Sequence, residues 1–193
     1  GNAFDGSSEP GVVWVMQDEN GNGYPDDTWY ELAGSETGKF ETYRDYAVTY
    51  YRPSGTGMPV QWTDNYGNNG EIDYLVQFHD QDYYYPLWIG KDSYTLKGTR
   101  LEARNYDQSG NGTYWVNPHY DWCYVDNFSP TDFNSSDKAN FFKISNAIDF
   151  EGNPVNLSHI DFVKVQCAVN AKSGWLGELS TEVCGFYDSS LKR

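Results

Sequence analysis

No stretch of this chain is apolar for more than a handful of residues, so nothing in it is long enough to form a membrane-spanning helix. It has no basic run either. Lys and Arg number 13 against 28 Asp and Glu, for a net charge of −15. Without a basic stripe the chain has nothing to neutralise phosphates, which argues against nucleic acid as a partner and against anionic membrane surfaces. Cysteine is scarce. Cys123, Cys167 and Cys184 are an odd number at no metal-site spacing. They read as buried free thiols, with a Cys167–Cys184 bridge left open. Catalytic signatures are missing too: there is no HExxH, GxSxG, P-loop or CxxC. His79, His119 and His159 are scattered, and His159 at a strand start reads as structural. A glycosidase needs two carboxylates flanking one bond. Glu71, Asp73, Glu102, Glu178 and Glu182 are available, but spacing along the chain cannot place two of them in one cleft. The expectation is a protein that is not an enzyme.

Aromatic and turn-forming residues are abundant. The chain holds 17 Tyr, 7 Trp, 10 Phe and 19 Gly among many Asn and Asp. Aromatic residues suit half-buried strands, and Gly, Asn and Asp suit the turns between them. The 193 residues suffice to bury a core without disulfide staples and read as one domain, 1–193. Strand patterns fall at Val12–Gln17, Thr28–Ala33, Tyr46–Tyr51, Ile72–Phe78, Thr99–Tyr106, Phe141–Ser145, His159–Val169 and Ser180–Tyr187. Only Asp137–Ile148 and Glu36–Tyr43 have room for a helical turn. Many short strands with long aromatic-rich connections predict an all-β fold, a jelly-roll-like two-sheet β-sandwich with long loops and little helix. Tyr106 and Phe162, inside apolar or alternating strands, are expected in the core. The opening "GNAFDGSSEPG" reads as a loop, with Asn2–Phe4 ending a strand that starts upstream. That is the expectation for a domain truncated at its N-terminus from a larger surface protein.

The segment "DENGNGYPDD" concentrates carboxylates and amides between two expected strands. Calcium takes six to eight oxygens, which a loop supplies from alternate positions around a sharp glycine turn at the sixth. Counted from Asp18, the first, third and fifth positions are Asp18, Asn20 and Asn22, and Gly23 is sixth. Tyr24 offers a backbone carbonyl at the seventh and Asp26 a carboxylate at the ninth. The twelfth position, where the helical calcium loop places a bidentate Glu, is Trp29, so Asp27 or a carboxylate from elsewhere is the expected substitute. The flanks read as strands, which makes this a structural Ca2+ loop at the tip of a β-hairpin. A metal-free turn leaves the clustered carboxylates to repel one another. "DQSGNG", Asp107–Gly112, echoes the spacing but reads as a plain hairpin turn.

Four stretches, "GNAFDGSSEPGVVWVMQDENGNGYPDDTWYELAGSE", "YRDYAVTYYRP", "TRLEARNYDQSGNGTYWVNPHYDW" and "PVNLSHIDFVKVQCAVNAKSGWLGELSTEV", resemble a family of cell-surface lipoproteins of gut Bacteroidetes. Its members are often labelled cell surface proteins, and some carry PKD-type modules. The resemblance covers nearly the whole chain. It implies a protein lipid-anchored to the extracellular face of the outer membrane, with no direct insertion of this domain. Some such lipoproteins capture nutrients, glycans or corrinoids of the vitamin B12 type, beside an outer-membrane transporter. The family carries over no catalytic residue.

Two aromatic clusters lie in loop-like segments, "YYYPLW" and "YWVNPHYDWCY". In the second, Tyr120, Trp122 and Tyr124 alternate, so an extended backbone puts all three on one face. "WTDNYGNNGE" adds Trp62 and Tyr66. Core filling accounts for most aromatics, but loops run over the surface. Aromatic faces with Asn and Asp nearby suit a sugar, or equally a macrocycle. The expected ligand-binding residues are Trp62, Tyr66, Tyr84, Trp88, Trp115, Tyr120 and Trp122. The expected function is non-catalytic, calcium-stabilised capture of a glycan or other nutrient. The alternatives are corrinoid binding for uptake, and a structural or interaction module of a surface lipoprotein.

Overall fold

The computed structural model describes residues 1–191. Its strands, in chain order, are β1 (Gly11–Met16), β2 (Tyr30–Leu32), β3 (Tyr43–Tyr51), β4 (Val60–Asp64), β5 (Asn69–Ile72), β6 (Ser93–Arg100), β7 (Tyr106–Asp107), β8 (Trp115–Val116), β9 (Phe133–Asn134), β10 (Ala139–Asn140), β11 (Ala147–Ile148) and β12 (Phe162–Cys167). The protein is all-β, with two four-stranded antiparallel sheets. Helix among the described residues is limited to single 3-10 turns at Leu87–Ile89 and Ile144–Asn146. The second falls inside the expected Asp137–Ile148. At Glu36–Tyr43 the chain makes only bonded turns, Thr37 N–H to Gly34 O and Thr42 N–H to Lys39 O.

The chain forms two compact units. The first comprises Gly1–Thr37, Asn117–Cys167 and the residues from Ser180 onward; the second comprises Gly38–Val116 and Ala168–Leu179. In the first unit the sheet order is β11-β2-β1-β12. β1 is central, and Val12, Val13, Val15 and Met16 are all buried. A strand covered on both faces reads as a continuous apolar run rather than an alternating one, which is why "VVWVM" looks as it does. Val13 and Val15 pack with Leu32, Cys123 and Ala147, flanked by Phe142, Leu157 and Val165. On the opposite face Trp14 stands across from Lys164, whose ammonium lies 4.7 Å from the rings of both Trp14 and Trp29. All three cysteines are free thiols, but only Cys123 is buried, and burial raises its thiol to about 12, while Cys167 and Cys184 are exposed rather than buried as expected.

The second unit holds the sheet β5-β4-β3-β6. Here the period-2 alternation is plain. Tyr46 and Val48 turn inward, while the other face carries Thr49 bonded to Thr95 and Tyr51 bonded to Thr63. Arg100 lies over Tyr43 and Tyr46 beside a bulge that interrupts the β3–β6 register. The β4–β5 hairpin closes through Asp64, whose carboxylate accepts the N–H groups of Tyr66 and Asn68.

Three expected strands are not strands, and a fourth, Thr99–Tyr106, is strand only at its ends: Thr99 and Arg100 close β6, Tyr106 opens β7, and residues 101–105 between them are irregular. Ile72–Phe78 leaves β5 and turns, with the N–H groups of Phe78 and His79 both donating to Leu75 O. Of Phe141–Ser145, only Ile144 and Ser145 have regular structure, in the 3-10 turn. Ser180–Tyr187 is irregular, held by Thr181 Oγ1 donating to Glu9 O and Glu182 N–H donating to Asp126 Oδ2. In the first and third, apolar alternation favours a strand, but the backbone donors find turn or side-chain acceptors first. Tyr106, expected in the core, is 49% exposed. Its strand β7 pairs only with β8 over two residues, which is too little sheet to cover a ring. Phe162 opens β12 opposite Met16 and is partly buried.

Candidate calcium loop and aromatic surfaces

β1 and β2 pair through Trp14–Glu31 and Val15–Tyr30, and the acidic segment is the loop between them. Its side chains converge. The Asp18 carboxylate accepts the N–H of Asn22 at 3.1 Å and of Gly23 at 2.8 Å. The Asn20 amide donates to Asp26 at 3.1 Å and to Asp27 at 3.3 Å, and the Asn22 amide donates to both oxygens of Asp26. These bonds, from Asn20 first and then Asn22, hold the Asp26 carboxyl below its ordinary value. The Tyr24 carbonyl accepts the Asp26 N–H and keeps a second lone pair. At the base, Asp161 Oδ2 accepts the Asp18 N–H at 2.8 Å. Asp18, Asn20, Asn22, Asp26 and Asp27 are therefore brought together, with Asp27 drawn toward Asn20 by its side chain and its backbone N–H. The donor set, carboxylates, amides and a carbonyl, is the oxygen chemistry that calcium takes. Half a turn of each amide exchanges the donating nitrogen for an oxygen ligand.

The Asp107–Gly112 loop shows what the bare turn needs. Asp107 Oδ2 accepts the Gly112 N–H, as Asp18 accepts that of Gly23. The glycines at the fourth and sixth positions have φ of 69° and 76° in one loop and 69° and 82° in the other. That region is strained for any side chain, and a Cβ at these glycines meets nothing, so backbone conformation alone accounts for them. One Asp, a Ser and an Asn thus suffice for the turn. Asp26 and Asp27 have no counterparts in the second loop, where Trp115 and Val116 follow. They are surplus to the turn.

The expected ligand-binding aromatics separate. Trp62, Tyr66, Tyr84, Trp88 and Trp115 belong to the second unit, Tyr120 and Trp122 to the first. Trp62 lies across β5, so close that a Cβ on Gly70 would stand 2.6 Å from its ring. Gly70→Ala is expected to cost about 1–3 kcal/mol in denaturant unfolding, because the indole must leave its place. Tyr66 packs at 4.3 Å on Tyr43, and its hydroxyl donates to Asp45, which raises the phenol to about 12. Tyr84 is fixed by a bond to His79 O and one from Leu75 N–H, with its ring 5.0 Å from Tyr74. Trp88 is 86% exposed, and Trp115 is half-buried.

Tyr120 and Tyr124 correct the expected alternation. Both are buried and meet edge to face at 5.7 Å, while Trp122 faces outward. The segment is not extended. Cys123 and Asp126 have φ of 66° and 54°, and the Asn127 side chain closes a turn by bonding both the N–H and the carbonyl of Tyr120. Tyr120 is therefore a core residue, not a surface for a ligand. A wide depression of about 680 Å³ in the first unit is lined by Thr131–Ser136, Phe141 and Lys143, and none of the expected aromatics borders it.

Two features escaped the sequence. In the second unit Phe78 and Trp175 meet edge to face at 5.2 Å with both rings exposed, and His79 Nε2 lies 3.0 Å from Leu176 O. The available signal was a Trp between glycines, "SGWLG", where Gly174 and Gly177 take φ of 64° and 75°. In the first unit, oxygens of Glu9, Asp126 and Glu182 lie within 4.8 Å of one another. Burial, followed by the neighbouring Asp126 and Glu9, raises the Glu182 carboxyl to about 7. The three come from distant stretches, so no local spacing marks them. Of the other available carboxylates, Glu71 bonds Gln61, Asp73 pairs with Lys172 and Glu102 with Arg104. No protein-family model matches this chain, and no curated protein is significantly similar to it.

Proposed function

We propose that this chain is a non-catalytic, calcium-stabilised ligand-binding domain of the cell surface, a jelly-roll-like two-sheet β-sandwich that captures a glycan nutrient. The observation that carries the reading is the aromatic surface of the second unit, where Phe78 and Trp175 offer exposed rings that meet edge to face. Rings fixed at a surface lose little entropy on binding and present the apolar faces on which sugars stack. His79 and Asp80 follow Phe78 directly in the chain and would supply polar partners for hydroxyls. The acidic loop, with Asp18, Asn20, Asn22, the Tyr24 carbonyl, Asp26 and Asp27 around one calcium, rigidifies the β1–β2 hairpin. The resemblance to outer-membrane lipoproteins supplies the rest of the proposal: lipid anchorage outside the cell and delivery to an outer-membrane transporter.

The test is a glycan array followed by titration. The parent chain is expected to retain one class of neutral glycan, and Trp175→Ala to weaken it by about thirtyfold, roughly 2 kcal/mol. A cobalamin titration run beside it separates the corrinoid reading. If Trp175→Ala and Trp88→Ala both leave affinity unchanged with the fold intact, the site is elsewhere. One observation favours a second reading, a structural or interaction module: Tyr120 and Tyr124, from the most aromatic segment, are packed inside. Failure to bind either ligand class leaves that reading in place.

A further inference from the structure

We propose that Glu9, Asp126 and Glu182 form a second calcium site, separate from the hairpin loop, that staples the irregular segment after Ser180 to the first unit. The three carboxylates offer oxygens within 4.8 Å of one another. Two calcium–oxygen bonds placed end to end span about 5 Å, whereas the shorter bonds of magnesium span about 4 Å. An all-oxygen set of three carboxylates suits calcium and not a thiolate- or imidazole-seeking metal.

A second observation points independently to a ligand. Among the described residues, Oε2 of Glu182 is wholly buried and has no hydrogen-bond partner. A buried carboxylate oxygen left without a donor is costly unless a cation or a proton meets it. Asp126 is 1% exposed, and its backbone is held at φ 54°, where a non-glycine residue is uncommon. Its carboxylate is fixed by the N–H groups of Asn2, Ala3 and Glu182. The Glu9 N–H donates to the Asp126 carbonyl, and the Glu9 carbonyl accepts Thr181 Oγ1. Backbone bonds therefore tie all three residues together, and their like charges meet where a cation offsets them. The segment around Glu182 has no strand partner and is held by the Thr181 and Glu182 bonds, to which such an ion would add a further anchor.

The test is calcium counting by equilibrium dialysis on the full chain. The Asp18→Ala/Asp26→Ala variant removes the hairpin loop's ligands and is expected to retain one calcium. Adding Glu182→Gln, which keeps the shape and removes one charge, is expected to abolish it. Hydrogen exchange at residues 181–184 should slow with calcium only where Glu182 is intact. Should the double variant fail to fold, parent against Glu182→Gln gives the same comparison, two ions falling to one. Unchanged calcium in Glu182→Gln, or protection of residues 181–184 that ignores calcium, overturns the proposal in favour of a shared proton. Loss of the hairpin ion alone bears on the loop and leaves this site standing, so the two failures are distinguishable.

Discussion

Removing calcium is expected to lower the unfolding midpoint of the parent chain by roughly 5–10 °C, and replacing Asp18 and Asp26 with Ala should take away a defined share of that response. A ligand bound only by the folded state stabilises by about 2.7 kcal/mol at a hundredfold excess over Kd. For a chain of this size each kcal/mol moves the midpoint by about 2–4 °C. At the proposed extracellular location calcium would be plentiful, so a site with Kd of roughly 10⁻⁴–10⁻³ M would be adequate. The physical cause lies in the loop. Five side chains converge on one another, and without a cation Asp26 is offset only by the amides of Asn20 and Asn22. Pro25 limits the unfolded loop and so reduces the entropy lost when it orders. Asp107→Ala serves as the control, because that loop shares the turn and lacks the extra carboxylates. It should leave the calcium response unchanged. An equal calcium response in the parent and in the Asp18→Ala/Asp26→Ala variant would show that the hairpin loop holds no ion.

Tyr124→Ala is expected to cost about 3–5 kcal/mol and to bring the chain close to its unfolding threshold. Tyr124 is buried, packs edge to face on Tyr120, and its hydroxyl accepts the N–H of Glu36 at 3.1 Å. The backbone has been fitted around it, since a Cβ on Gly34 would stand 2.5 Å from its ring. Burial pushes the Tyr124 phenol well above its ordinary range, so the hydroxyl stays neutral across accessible pH. Tyr124→Phe separates the ring from the hydroxyl. It keeps the packing but leaves a buried N–H unpaired, for about 1–3 kcal/mol. Urea unfolding of the three proteins gives the comparison. If Tyr124→Phe matches the parent, the Glu36 bond contributes nothing, and a Tyr124→Ala loss under about 1 kcal/mol would mean that the ring is not a core element.

The second result bears on how aromatic density is read. "YWVNPHYDWCY" looks like a binding surface because it is rich in rings and turn-formers. Polar side chains just beyond it are what fold two of those rings inward. Asn127 closes the turn on Tyr120, and Ser129 and Thr131 both donate to the carbonyl of Asp121. The surface rings lie instead where two separate loops of the second unit meet, at Phe78 and Trp175.

The all-β class was determined by the sequence alone, because period-2 alternation in "YAVTYY", the apolar run "VVWVM" and frequent Gly, Asn and Asp turns are local properties of the chain. The acidic loop was equally legible: its residues lie within ten positions, and a turn of fixed glycine spacing has little freedom in where it points them. Ile72–Phe78 and Ser180–Tyr187 carry strand patterns yet are not strands, since a strand exists only if a neighbour accepts its hydrogen bonds. Whether Tyr120 or Trp122 faces solvent depended on positive φ at Cys123 and on side chains several residues away. The meeting of Glu9, Asp126 and Glu182 is a long-range fact of the same kind. It arises because folding brings three distant segments to one point, and no spacing along the chain encodes a distance that only the packed backbone creates.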